Sequence, residues 1–232
     1  MYTEDERPRS IWLRRERARR GPVPVHDRAR IAAAAMRLAD AGGLAEVTMR
    51  KVAATIGAGA TALYRYVDNR DELLQLMLDT ALDELRFPPI TGDAHADLLA
   101  LAHEQCTVCR RHPWMLDLLQ TGLPMTPRGV AYLEHALAAL QGADVPGRAK
   151  LETVAMVTAT VAMVVRTELA TGRPTQAWEA EQEEYLRAVV AEGKHPHLAT
   201  VVRSSPPGQE RADLLDRLLP RILAGLLDAS RD

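Results

Sequence analysis

The sequence predicts an all-α protein of two domains. Three observations carry this. Alanine, leucine and arginine dominate while aromatic residues make up only 4% of the chain, no segment keeps the period-two alternation of a strand, and apolar residues recur at helical spacing between punctuating glycines and prolines. With 47% hydrophobic content, 232 residues suffice for one small and one larger helical core, and no internal repeat divides them.

The chain opens on a basic arm, residues 1–25. Between Arg7 and Arg20 lie seven arginines and one glutamate, and Gly21-Pro22-Val23-Pro24 forbids a helix running on into residue 27. Arg14, Arg15, Arg17, Arg19 and Arg20 are its candidate DNA contacts, along phosphates or in a narrow minor groove where the potential is most negative. In the same arm, Ile11, Trp12 and Leu13 suit a short packed helix. No apolar stretch follows the charged start, so no signal peptide is expected and the reading is cytoplasmic.

Residues 26–72 are expected to form a helix-turn-helix domain. Thr48 is a good N-cap, Val47 and Val52 stand at the hydrophobic-staple positions, and Gly57 follows Ile56 where the chain must take positive φ. The first helix therefore runs over about 49–56 and the second over about 60–66. In the second, only Leu63 is strongly apolar and aliphatic, so most of its surface is free to meet a partner. Asn69 with Glu72 makes an N-cap and carboxylate box for a third helix, whose Leu73, Leu74, Met77, Leu78 and Ala81 share a face.

Charge follows the same division. Residues 1–70 carry 14 Lys/Arg against 8 Asp/Glu, whereas residues 71–232 carry 15 against 23. A basic half beside an acidic one suits a domain that neutralises phosphates and a domain that stays off the DNA. Candidate base and phosphate contacts are Thr48, through its backbone N–H at a helix start, and Arg50 on the first exposed turn. Gly59, Ala60, Thr61 and Ala62 form the close-approaching end of the recognition helix, with Thr61 and Ala62 suited to thymine methyls. Arg65 is the candidate for guanine readout, and Tyr64 and Tyr66 offer phenolic hydroxyls to phosphates.

Residues 73–232 read as further helices near 93–112, 113–121, 126–141, 147–171, 174–192 and 210–228, each ended by a turn residue. The longest apolar run, 154–165, is too short to span a bilayer and is expected to be a buried helix, so no membrane partner is expected. Helix 147–171 is apolar on most sides. Helix 210–228 carries a wide stripe of Leu214, Leu215, Leu218, Leu219, Ile222, Leu223, Leu226 and Leu227, interrupted by Pro220, which is expected to kink it. These two helices are the expected homodimer interface, which would set two recognition helices on a palindromic site.

Taken together, the amphipathic IAAAAMRLADAGG, then TMRKVAATIGAG, then LYRYVDNRDELL resemble the TetR family of bacterial transcriptional repressors, closely over residues 27–80. The resemblance implies a homodimeric repressor with an N-terminal three-helix DNA-binding domain and a larger helical domain that binds a small effector and releases operator DNA. It also implies that Arg70 is a phosphate contact. The segment 111–144 looks like tetracycline-repressor C-terminal domains, with effector candidates Arg86, Phe87, Trp114, Gln120, His135, Met156, Met163, Arg166 and Trp178. Positions matching the metal-binding histidines of tetracycline repressors hold Arg86 and Gln120, which argues against a metal-chelated tetracycline. No metal and no cofactor is expected.

Two other classes compete with this reading. Cys106 and Cys109 stand with His103 and His112 at successive i+3 spacing, which drifts 60° per step and cannot bring all four to one metal. A thiol- or metal-dependent enzyme or sensor would need more than this pair, and no nucleophile elbow, phosphate loop or paired carboxylates accompany it. An architectural DNA-binding protein would need no ligand site in its C-terminal domain.

Overall fold

The computed structural model describes residues 10–14, 27–119, 125–171, 176–204 and 214–228. Among them the regular structure is helical, with no strand. Eleven α-helices are described: α1 (Arg28–Gly42), α2 (Met49–Thr55), α3 (Ala60–Leu63), α4 (Arg70–Leu82), α5 (Ala94–Arg111), α6 (Met115–Leu118), α7 (Pro127–Ala139), α8 (Gly147–Thr171), α9 (Gln176–Ala191), α10 (Pro196–Ser204) and α11 (Leu214–Asp228).

Local capping explains where the first helices begin. The Asp27 carboxylate accepts the Arg30 N–H at 2.7 Å, the Thr48 hydroxyl accepts the Lys51 N–H at 3.2 Å, and the Asn69 side chain accepts the Glu72 N–H at 2.9 Å. Glu72 reaches back to the N–H of Asp68 at 2.8 Å, one residue further than the capping box expected from sequence. Val47 and Val52 are both fully buried at the staple positions. Gly57 has φ +71°, a left-handed conformation costly to any residue with a Cβ, and it turns α2 toward α3.

α1 packs along α4, and α4 continues toward α7, so one helix spans both domains. The C-terminal core is α5, α7, α8 and α11 packed on one another, with Leu98, Leu101, Val157, Val161, Leu219 and Leu223 inside. Gly147–Ala170 is long and apolar enough to cross a membrane, unlike the shorter run considered from sequence. It nevertheless packs against three core helices, and Val154, Val157, Val161, Val164 and Val165 are buried there.

Some elements differ from the sequence expectation. The recognition helix is α-helical only through Leu63, and Tyr64 to Tyr66 form a turn. α10 stands between the helices expected at 174–192 and 210–228, where none is expected, with Pro196 at its first helical position, where the missing N–H costs nothing. α11 runs through Pro220, as the expected helix over 210–228 does.

Candidate nucleic-acid interface and effector domain

The recognition surface begins at Gly59, the N-cap of α3. It has no side chain to occupy the first amides, and a Cβ placed there would meet nothing within 4 Å. Leu63 is buried and fixes the helix, Ala60 packs against the core, and Thr61, Tyr64 and Arg65 are exposed, with Tyr64 52% accessible. The Arg50 and Arg65 side chains make no hydrogen bond or ion pair among the described residues. Thr61, Arg50 and Arg65 thus stand on a rigid scaffold with their polar groups unclaimed.

Two of the expected phosphate contacts are built differently. The Thr48 N–H, proposed from sequence as a phosphate donor, instead donates to the Glu46 carbonyl at 3.0 Å, because a 3-10 turn (Leu44–Glu46) leads directly into α2. Its hydroxyl remains at the surface. Arg70 donates from Nε to the Val47 carbonyl at 2.9 Å and from a terminal nitrogen to the Leu44 carbonyl at 2.8 Å, so it braces α4 against the turn that presents α2.

Of the arm, Ser10–Arg14 is described. Arg15, Arg17, Arg19 and Arg20 lie outside the described residues. Ile11–Leu13 forms a 3-10 turn with Ile11 buried, and Arg28 donates to the Ile11 carbonyl at 3.2 Å. Arg14 is not held out toward solvent: it forms ion pairs with Asp68 and Glu72, at the end of the recognition segment and the start of α4.

The effector candidates do not converge. Phe87, which is 40% exposed, stacks on His135 of α7 with ring centroids 4.8 Å apart. Arg86 is exposed. Met156 and Met163 project from α8 at 43% and 44% exposure, away from the helical core where an effector cavity would lie. Arg166 staples α8 to α6 through the Leu116 carbonyl at 2.7 Å and the Asp117 carboxylate at 3.1 Å. Gln120 and the Trp178 side chain lie outside the described residues.

Trp114 has a different place again. Its indole N–H donates to Asp40 of α1 at 2.7 Å, and His112 meets the same carboxylate at 2.8 Å and Glu84 at 3.2 Å. Burial raises the Glu84 pKa, but hydrogen bonds from Arg111 and His112 outweigh it and hold the carboxyl below its usual range. The cluster ties the end of α1 to the segment entering α6. Sequence reasoning missed Asp40; its one cue is an acidic residue near a helix C-terminus, where the dipole disfavours it.

A second missed group lies in the C-terminal core. Tyr132 donates to the Gln105 side-chain oxygen at 2.9 Å, with both residues fully buried. Burial pushes the Tyr132 hydroxyl up, opposed by a hydrogen bond with Thr158. The Gln105 amide nitrogen and His135 Nε2 are buried with no partner. Such orphaned groups cost free energy unless something occupies them, and a ligand is one such occupant.

The cysteines are plain packing residues by comparison. Both are free and fully buried, and burial drives the thiols up to about 11 at Cys106 and about 12 at Cys109, the reverse of an activated thiolate. His103 is paired with Asp216 at 2.7 Å and His112 with Asp40, so neither faces the thiols as a metal ligand. Among the described residues no three His, Cys, Asp or Glu side chains gather as a metal site.

Comparison with known proteins agrees with this layout. Residues 31–77 match the domain described as bacterial regulatory proteins, tetR family, and residues 88–229 match the tetracyclin repressor-like C-terminal domain. The HTH-type transcriptional repressor DrrR1 of Streptomyces coeruleorubidus is 33% identical over 200 residues, covering 82% of this chain and 74% of that protein. An HTH-type transcriptional regulator of Saccharopolyspora erythraea is 32% identical over 192 residues, covering 82% and 78%. Among solved structures, ActR of Streptomyces coelicolor in complex with actinorhodin superposes with TM-score 0.76 at 24% identity, covering 91% of this chain and all of that one. The exposed recognition helix, the helical C-terminal domain and both domain matches lead to one conclusion: the chain belongs to the TetR family of DNA-binding transcription regulators.

Proposed function

We propose that the protein is a homodimeric repressor that binds a palindromic operator in the bacterial cytoplasm, where it joins the nucleoid when DNA-bound, and that a small organic effector releases it. The observation that carries this reading is the unclaimed polar face of Thr61, Tyr64 and Arg65, beside a glycine N-cap that lets the helix approach DNA closely. Arg65 reads a base edge, Thr61 and Ala62 meet thymine methyls, and Arg50, Tyr64, Tyr66, the Thr48 hydroxyl and the remaining Arg70 donors take phosphates.

Dimerisation is supported by apolar surface that the protomer leaves open. Leu151, Met156, Met163 and Leu169 of α8 are each more than 40% exposed, and Leu218, Ile222 and Leu226 of α11 are half-buried. The effector reading rests on the orphaned Gln105 amide and His135 ring, with Phe87 stacked beside the latter, and on the relative ActR, crystallised with (S)-DNPA and with actinorhodin.

Selection from random-sequence duplex DNA, followed by sedimentation of the complex, tests the proposal. Recovered sites should be dyad-symmetric with half-site centres about 34–36 Å apart or a near multiple of it, occupied by two protomers per site. Recovery of sites without symmetry, or a protein that is monomeric on them, would overturn it.

A further inference from the structure

A groove of about 400 Å³ opens where the Ile11–Leu13 turn meets α4, with Leu118 at the end of α6 and Met125 and Thr126 just before α7 on its other side. It lies at the N-terminal half of α4, on the DNA-binding side of the molecule, apart from the Gln105–Tyr132 core. Its volume falls within the range of small-molecule sites, and domain junctions are where such sites concentrate. Its walls are Leu74, Leu78, Leu118 and Met125, with the Trp12 indole on one side.

Two features give the groove a chemical preference. Asp71 is the only charged side chain among the described lining residues, and it makes no hydrogen bond or ion pair among them. Trp12 Nε1 is buried and has no hydrogen-bond partner. A carboxylate at the rim and an indole face in the wall both favour a positive charge, the first by Coulomb attraction and the second through the ring quadrupole. The aliphatic walls favour an apolar body.

We infer that this groove is a ligand site for small amphipathic organic cations, built by docking of the N-terminal turn onto α4. The turn supplies one wall, so the site exists only while it is docked. That docking is secured by Arg28 on the Ile11 carbonyl and by Arg14 on Asp68 and Glu72. A cation that fills the groove therefore multiplies the ratio of docked to undocked turn by one plus its concentration over its Kd.

The test uses the full chain and three probes with one body: 4-phenylbutylamine, 4-phenylbutanol and 4-phenylbutyrate, titrated by calorimetry. One amine should bind per protomer, the alcohol about three-fold more weakly because an exposed ion pair contributes little, and the carboxylate more weakly still. Asp71→Asn should bring the amine to the affinity of the alcohol, and Trp12→Leu should weaken all three about ten-fold. Hydrogen exchange at residues 10–14 should slow at saturating amine. No saturable binding of any probe, equal affinity for all three, or an amine affinity unchanged in both variants overturns the inference. Operator binding measured on the same variants without probe reads the DNA-binding assignment separately.

Discussion

In the helix-turn-helix, each of three helix starts is capped within a few residues: Asp27 with Arg30, Thr48 with Lys51, Asn69 with Glu72. In the regulatory domain the decisive pairs are distant in sequence, with Gln105 and Tyr132 27 positions apart and His103 and Asp216 113 apart. The first region starts its helices on local chemistry, and Arg70 on the Val47 and Leu44 carbonyls then braces the face they present. The second depends on several helices arriving together, and it leaves Gln105 and His135 with donors or acceptors unmatched. A surface that must read DNA gains from being fixed, whereas a domain that must respond to a small molecule gains from having polar groups still to be satisfied.

The largest effect expected from this contrast is in the regulatory core. Leu219 is fully buried between helices of its own protomer, so Leu219→Glu should unfold that domain at a cost of about 4 kcal/mol or more. Met163→Glu with Leu218→Glu, on the outward faces of α8 and α11, should instead separate protomers with helicity retained. Circular dichroism with sedimentation distinguishes the two outcomes, and an intact dimer in the outward variant would exclude that face as the interface.

A smaller effect is expected where the domains are tied. Asp40→Ala leaves the Trp114 N–H and His112 Nδ1 without their shared partner, which should cost about 2 kcal/mol and split thermal unfolding into two steps. Thr48→Ala, a local cap, should cost about 1 kcal/mol and keep one transition. Denaturant titrations in which the cap variant is the more damaging would reverse the contrast drawn here.

Acid should act on the link between α4 and α5. Asp97 is buried and takes the Thr91 hydroxyl at 2.7 Å and the Thr91 and Gly92 amides at 3.0 to 3.1 Å. The Thr91 hydroxyl, working against burial, holds its carboxyl below the usual range. A depressed carboxyl stabilises the fold above its unfolded pKa, near 3.8, and that contribution fades as pH falls through the lower folded value. Stability measured from pH 6 down to pH 2 should therefore fall less steeply in Asp97→Asn, and parallel curves would show that Asp97 is not the group responsible.

The smallest effect on stability belongs to the recognition face. Arg65→Ala should change unfolding by no more than about 0.5 kcal/mol, since the side chain is exposed and unpaired. It should nonetheless remove about 1–3 kcal/mol of discrimination at one base pair in each half-site. Equal weakening on every sequence would make Arg65 a phosphate contact instead.

The same contrast explains what could be read in advance. Thr48, Gly57 and Asn69 announce the helix-turn-helix because a cap or a left-handed turn is specified within three or four residues. Asp40, Gln105 and Tyr132 carry no such signal: each is an ordinary helical residue until a distant partner meets it. Thr48 and Arg70 were found, but with other hydrogen bonds than expected, because the turn at 44–47 takes the Thr48 N–H and supplies the carbonyls that Arg70 holds. Met156 and Met163 share the composition of a cavity lining, and only packing reveals that they face outward.

Arg14 has a consequence for DNA approach that its ion pairs alone do not express. Asp68 and Glu72 are two carboxylates that follow Arg65 in the chain, Asp68 at the end of the recognition segment and Glu72 in the first turn of α4. Left bare, they would oppose a polyanion arriving at the recognition helix. The guanidinium of Arg14 neutralises them, and on the proposed reading its charge is thereby withdrawn from counterion release while it silences that repulsion. Each arginine so committed lowers the slope of log affinity against log salt by about 0.9 relative to one that sits on a phosphate.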